Sequence, residues 1–107
     1  MKQHNYFTYI LTNYKKTVLY TGVTNDLDRR LYEHYFGIDK TNSFTKKYQC
    51  FYLVWYERHQ YIEHAIEREK EIKGWTRIKK EKLIATENPK WDFLNETIME
   101  WPPVNIP

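Results

Sequence analysis

Residues Tyr6–His34, YFTYILTNYKKTVLYTGVTNDLDRRLYEH, decide the fold. Two runs rich in aromatic and β-branched residues, Tyr6–Leu11 and Val18–Thr21, flank the polar Asn13-Tyr14-Lys15-Lys16, which is short enough for a hairpin turn. Gly22 ends the second run, and a residue without Cβ there lets backbone or ligand approach closely. Asn25 or Asp26 then offers a short polar side chain to the free amides of a helix expected from about Leu27 to Phe36. At about 100° per residue, Leu27, Leu31 and Tyr35 form its apolar stripe, and Arg30 and His34 fall together on the flank of that stripe, one turn apart. On the residues alone, Arg30 and His34 are either boundary side chains that reach past the stripe to water, or the wall of a cleft where helix meets sheet.

Beyond this stretch, Gly37 to Lys47 is polar and reads as a loop with a helical turn at its end. Lys46 and Lys47 stand there beside Phe44 and Tyr48. Such interleaving of basic and aromatic residues suits a nucleic-acid strand, and it equally suits a solvated loop end. Phe51–Tyr56 is the most apolar run and is expected to be a central strand. A helix is expected over Tyr61–Gly74, with Tyr61, Ile72, Ala65, Ile62 and Ile66 on one arc and Glu63, Glu67, Glu71 and Lys70 on the opposite face. Glu69 breaks the pattern, projecting into the middle of the apolar arc between Ala65 and Ile62. A carboxylate there requires a cation, a hydrogen-bond network or a cleft. A salt bridge to Lys73 or to a helix arginine would satisfy it, and so would a functional role.

Gly74 can stop that helix, with Trp75 packing back, and Thr76 can cap the next, which runs to about Thr86. Lys73, Arg77, Lys79, Lys80 and Lys82 crowd into this region, either as a solvated face or as a phosphate-binding one. Asn88-Pro89 breaks the helix, Trp91, Phe93 and Leu94 form an apolar plug, and Trp101-Pro102-Pro103 begins an extended tail. The order strand, strand, helix, strand, helix, helix describes an α+β sandwich: a three-stranded sheet whose helices bury its aromatic face.

With 107 residues, 41% hydrophobic and 18% aromatic, the chain is expected to form one domain over residues 1–107 with a modest core. It contains no apolar run long enough to span a bilayer, so no membrane association is expected, and Met1 to Tyr6 lacks the apolar core of a signal peptide. The single cysteine, Cys50, cannot pair within the chain, which points to a reducing, cytoplasmic setting. Residues 1–82 hold 16 of the 17 Lys and Arg and 10 of the 14 acids, while residues 83–107 hold one Lys against four acids. A basic body of this kind suits a polyanion partner.

Over about residues 6–95 the chain resembles the GIY-YIG nuclease domain, in particular its small stand-alone bacterial members. The first motif corresponds to Phe7-Thr8-Tyr9, with the Gly-Ile pair replaced, and the second to Tyr20-Thr21-Gly22. The family arginine falls on Arg30, its histidine on His34 and its metal-binding glutamate on Glu69. The resemblance implies a three-stranded antiparallel sheet flanked by helices and divalent-metal-dependent endonuclease chemistry on DNA, with branched or damaged DNA among the substrates. It implies that Glu69 holds Mg²⁺ or Mn²⁺, that Tyr9 or Tyr20 orients or deprotonates the attacking water, that Arg30 neutralises phosphoryl charge, and that His34 assists proton transfer or binds phosphate. Lys46, Lys47, Lys73, Arg77, Lys79 and Lys80 are the candidate nucleic-acid contacts, giving weak, salt-sensitive binding of low sequence specificity. A protein partner could supply targeting. Some family members carry an asparagine after the glutamate; here the position twelve after Glu69 is Glu81, and Asn88 and Asn95 come later. The alternative is a nucleic-acid-binding module on the same scaffold with little or no catalysis.

Overall fold

The computed structural model describes residues 4–38 and 43–104. Strand β1 (Tyr6–Thr12) and strand β2 (Leu19–Thr24) form the expected hairpin. Its turn is organised by Asn13, whose Oδ1 accepts from the backbone N–H of Thr17 and Val18 while its carbonyl accepts from Lys16. Lys16 takes the left-handed conformation, with φ 60°, that the tight return demands. Gly22 does not end β2, as its composition suggested, but lies inside it, opposite Tyr9. Helix α1 (Leu27–Phe36) starts at Asp26, whose carboxylate accepts from Arg29 N–H, and stops at Gly37 in the left-handed region. Helix α2 (Ser43–Tyr48) is the helical turn expected at the end of the following loop; the middle of that loop, residues 39–42, lies outside the described residues.

Strand β3 (Tyr52–His59) pairs antiparallel with β1, so the sheet order is β2-β1-β3. The central strand is therefore β1, and the apolar run around Leu53–Tyr56 sits at an edge. It can be apolar there because its outer backbone groups are covered. Leu94 N–H donates to Leu53 O (2.7 Å), Asn95 Oδ1 accepts from Leu53 N–H and its Nδ2 donates to Phe51 O, and Asn88 Nδ2 donates to Val54 O. The segment after the last long helix thus serves as a fourth edge built largely from two asparagine side chains, which closes an otherwise open edge. Asn88 and Asn95, the later asparagines of the sequence, are both structural in this way.

Helix α3 (Ile62–Lys73), helix α4 (Arg77–Glu87) and the short helix α5 (Asn95–Ile98), which composition did not reveal, complete the chain. Thr76 caps α4 by accepting from Lys79 N–H. Tyr61 precedes α3 and is 54% exposed, so it does not join Ala65 and Ile72 on the buried arc. The helical projection does not hold for a residue still in extended conformation.

Both faces of the sheet are covered. On one, Tyr9 and Leu11 pack with Leu27 and Leu31 of α1, Cys50 and Leu53, against Leu94, Ile98 and Trp101. On the other, Ile10, Val54 and Trp55 pack with Ile72 of α3 and Ile84 of α4, joined by Trp75, Trp91 and Phe93. A register shift between Ile10 and Leu11 lets Val54 and Trp55 face the same side. Arg68 is held between the rings of Trp55 and Trp75 and paired with Glu57 and Glu71. No helix among the described residues is long and apolar enough to cross a membrane.

Candidate active site

The hairpin and α1 deliver four of the expected residues to one place. Tyr9 on β1 sends its ring over Gly22 of β2, where a Cβ would lie 2.6 Å from both Tyr9 Cζ and Tyr9 OH and 2.9 Å from Tyr20 Cε2. The missing side chain is therefore a steric requirement of the site. At that spot Tyr9 OH lies 3.0 Å from His34 Nε2 and accepts from Arg30 Nε at 3.4 Å. The ring centroids of Tyr9 and Tyr20 are 6.3 Å apart, and Tyr20 meets His34 edge-on at 5.8 Å. Two strands and one helix thus bring together Tyr9, Tyr20, Arg30 and His34.

Their exposures differ in an informative way. Tyr9 and His34 are buried, so His34 is not a boundary residue of α1 but part of the interior. Its other nitrogen, Nδ1, lies 3.1 Å from the hydroxyl of Thr45 on α2, itself buried. Sequence reasoning missed Thr45. It stands eleven residues from His34 beyond a polar loop, and no local pattern links the two. Arg30 is partly exposed and bridges Tyr9 and Glu33, with Nη1 3.4 Å from the Glu33 carboxylate. Tyr20 faces outward, lining a cleft of about 280 Å³ with Leu19, Thr21, Phe44, Lys73 and Lys80.

Glu69 comes from α3, which covers the opposite face of the sheet, and it reaches this group at one remove. Its side chain is 17% exposed and its Oε2 lies 3.5 Å from Lys73 Nζ, one turn along the helix. The same Nζ sits over the Tyr20 ring, 6.0 Å from its centroid. The chain of contact Glu69–Lys73–Tyr20 runs past the β2 edge of the sheet, and the carboxylate has the partner that its place on the apolar arc demanded. No group of three His, Cys, Asp or Glu side chains that could hold a metal exists among the described residues. One carboxylate suits a hard cation held mainly by water and substrate oxygens, as Mg²⁺ commonly is, and does not suit a transition metal enclosed by protein ligands.

The expected nucleic-acid contacts divide. Lys73 and Lys80 line the cleft; Lys46 and Lys47 lie exposed on α2 at its margin, with Lys47 Nζ 5.3 Å from the Tyr48 ring centroid. Lys79 covers the Trp75 ring at 4.5 Å. Arg77 departs from the expected role: Nε donates to Glu81, and Nη1 and Nη2 to the carbonyls of Thr17 and Lys16. Its guanidinium clamps α4 to the hairpin turn.

Comparison with known proteins agrees with this fold. Residues 5–82 match the GIY-YIG catalytic domain. A UPF0213 protein of Natronomonas pharaonis is 37% identical over 83 residues, covering 78% of this chain and 94% of the relative. One from Bacillus pumilus is 34% identical over 84 residues, covering 78% and 83%. The solution structure of the UPF0213 protein BH0048 from Bacillus halodurans superimposes with a TM-score of 0.54 at 29% identity, covering 90% of this chain and 99% of that one. The chain belongs to the GIY-YIG catalytic domain family.

Proposed function

We propose that the protein hydrolyses phosphodiester bonds of DNA as a divalent-metal-dependent endonuclease. The observation that carries this reading is the buried Tyr9 hydroxyl, held 3.0 Å from an imidazole and 3.4 Å from a guanidinium nitrogen, directly behind a second tyrosine that lines a lysine-bearing cleft. Membership of a nuclease family supports it.

The two tyrosines then have different tasks. Tyr9 is fully buried and acts as a positioning residue that fixes Arg30 and His34. Tyr20 reaches the cleft, so its hydroxyl is the one that orients the attacking water and takes its proton. Arg30 presents a permanent planar cation to the phosphoryl oxygens as negative charge grows on them. His34, joined to Tyr9 on one side and Thr45 on the other, passes a proton within this group. Glu69 would hold Mg²⁺ or Mn²⁺ with water completing the shell, and Lys73 would give up its ion pair to the phosphate. When bound, the ion supplies Lewis-acid polarisation of the phosphate and charge for the leaving oxygen.

A second reading, a DNA-binding module without catalysis, is favoured by one observation: Glu69 is already paired with Lys73, in a chain with no group of three metal-ligating side chains among the described residues. Incubation of plasmid, single-stranded and branched DNA with Mg²⁺ or Mn²⁺ separates the two. Wild-type cleavage that is lost in both Glu69→Ala and Arg30→Ala supports the hydrolase. DNA binding at low salt without cleavage in either metal supports the module. Cleavage surviving in both variants contradicts the site. Titration of Mn²⁺ followed by electron paramagnetic resonance gives a readout independent of turnover, and Glu69→Ala is expected to abolish bound Mn²⁺.

A further inference from the structure

We infer that the cleft beside β2 is a stacking site for an unpaired base, which makes single-stranded DNA, and not duplex, the substrate. This inference rests on the hydrolase reading for its substrate class and on a separate group of side chains for its evidence. Phe44 and Tyr48 of α2 are each 40% exposed and so present ring surface to solvent. They do not stand alone. Their ring centroids are 4.7 Å apart, and Phe44 continues to Tyr20 at 6.0 Å with the two ring planes inclined by only 32°. Tyr20, Phe44 and Tyr48 thus form an aromatic ladder that leads from the hydroxyl site out to solvent.

Ammonium groups flank the ladder at both ends. Lys73 sits over the Tyr20 ring and Lys47 over the Tyr48 ring, while Lys80 lines the cleft with Lys73. Rings that offer π-faces beside ammonium groups are the two elements that bases and phosphates of a single strand require. In a duplex, the two faces of each base are covered by its neighbours, so exposed protein rings gain nothing from it beyond sugar and phosphate contact. A cleft of about 280 Å³ has room for one base stacked on Phe44. A base stacked on Phe44 would set the adjoining phosphate at Tyr20, within reach of Lys73.

The test measures binding and cleavage separately. A fluorescein-labelled single strand and the same strand in a duplex are titrated by anisotropy in EDTA, where no cleavage occurs. The single strand is expected to bind roughly tenfold more tightly, the scale of one base stacked on a protein ring. Phe44→Leu, which keeps the apolar packing but removes the π-face, should erase that advantage and leave duplex affinity unchanged, whereas Phe44→Trp should retain it. Melting temperatures of both variants confirm that they are folded. Equal affinity of the wild type for the two forms, or equal losses on both forms in Phe44→Leu, overturns the inference, as does binding of neither. Cleavage in Mg²⁺ then distinguishes failures. A strand preference without cleavage refutes the hydrolase and leaves the stacking site standing. Cleavage of a duplex bound as tightly as the single strand refutes the stacking site and leaves the hydrolase standing.

Discussion

One absent methyl group determines how closely the two tyrosines stand. At Gly22 a Cβ would be 2.6 Å from the Tyr9 hydroxyl, far inside contact distance, and Tyr9 is already locked by His34 and Arg30. Gly22→Ala must therefore displace either the Tyr9 ring or β2. Overpacking of this kind costs about 1–3 kcal/mol, measurable by urea denaturation, and the displaced ring should take the site's activity with it. The need for a small residue next to the second tyrosine was legible in the chain; its reason was not. Composition suggested that Gly22 ended a strand, whereas pairing across the hairpin puts it beneath the ring of Tyr9. The burial of His34 was hidden for a similar cause, because its partners Tyr9 and Thr45 lie 25 and 11 residues away.

At the scale of elements, the hairpin, α1, α3 and α4 were legible because each is written in local signals: alternating aromatic residues, a capping side chain, an apolar stripe, a glycine or proline stop. Sheet order is not local. The most apolar strand, β3, looked central, yet β1 holds that place and β3 is finished by Asn88, Leu94 and Asn95. The cover comes from residues 34 to 42 positions away, which no window of sequence contains. Asn95 is buried and satisfies both Leu53 N–H and Phe51 O. Asn95→Ala strands these two backbone groups and is expected to lower stability by about 2–6 kcal/mol, since each buried orphan costs about 1–3. The effect would appear as a lower urea midpoint, with the cleavage rate of the folded fraction unchanged. A loss of rate without a loss of stability would instead return Asn95 to the site.

For the molecule as a whole, Cys50 reports on integrity. Burial raises its thiol from 9.0 to about 11, because the core disfavours the thiolate. The folded state therefore holds this proton more tightly than the unfolded chain. The stability it contributes is complete below pH 9 and falls as pH rises from about 9 to 11. Accordingly, Cys50 should resist alkylation at pH 8 in the native protein and react at once in denaturant; rapid native labelling would show that the core opens freely. The proposed site, too, is a property of the whole, since β1, β2 and α1 would supply its buried half and α3 its carboxylate, which meets Tyr20 only through Lys73. The sequence named these residues but left open which tyrosine would meet a substrate. In the proposed function that task falls to Tyr20, the less buried of the two. Single-turnover cleavage by Tyr20→Phe, which removes one oxygen and leaves the ring in place, tests this directly. The rate should fall by about 10²–10⁴ with DNA affinity unchanged, whereas a rate within about twofold of wild type would contradict it.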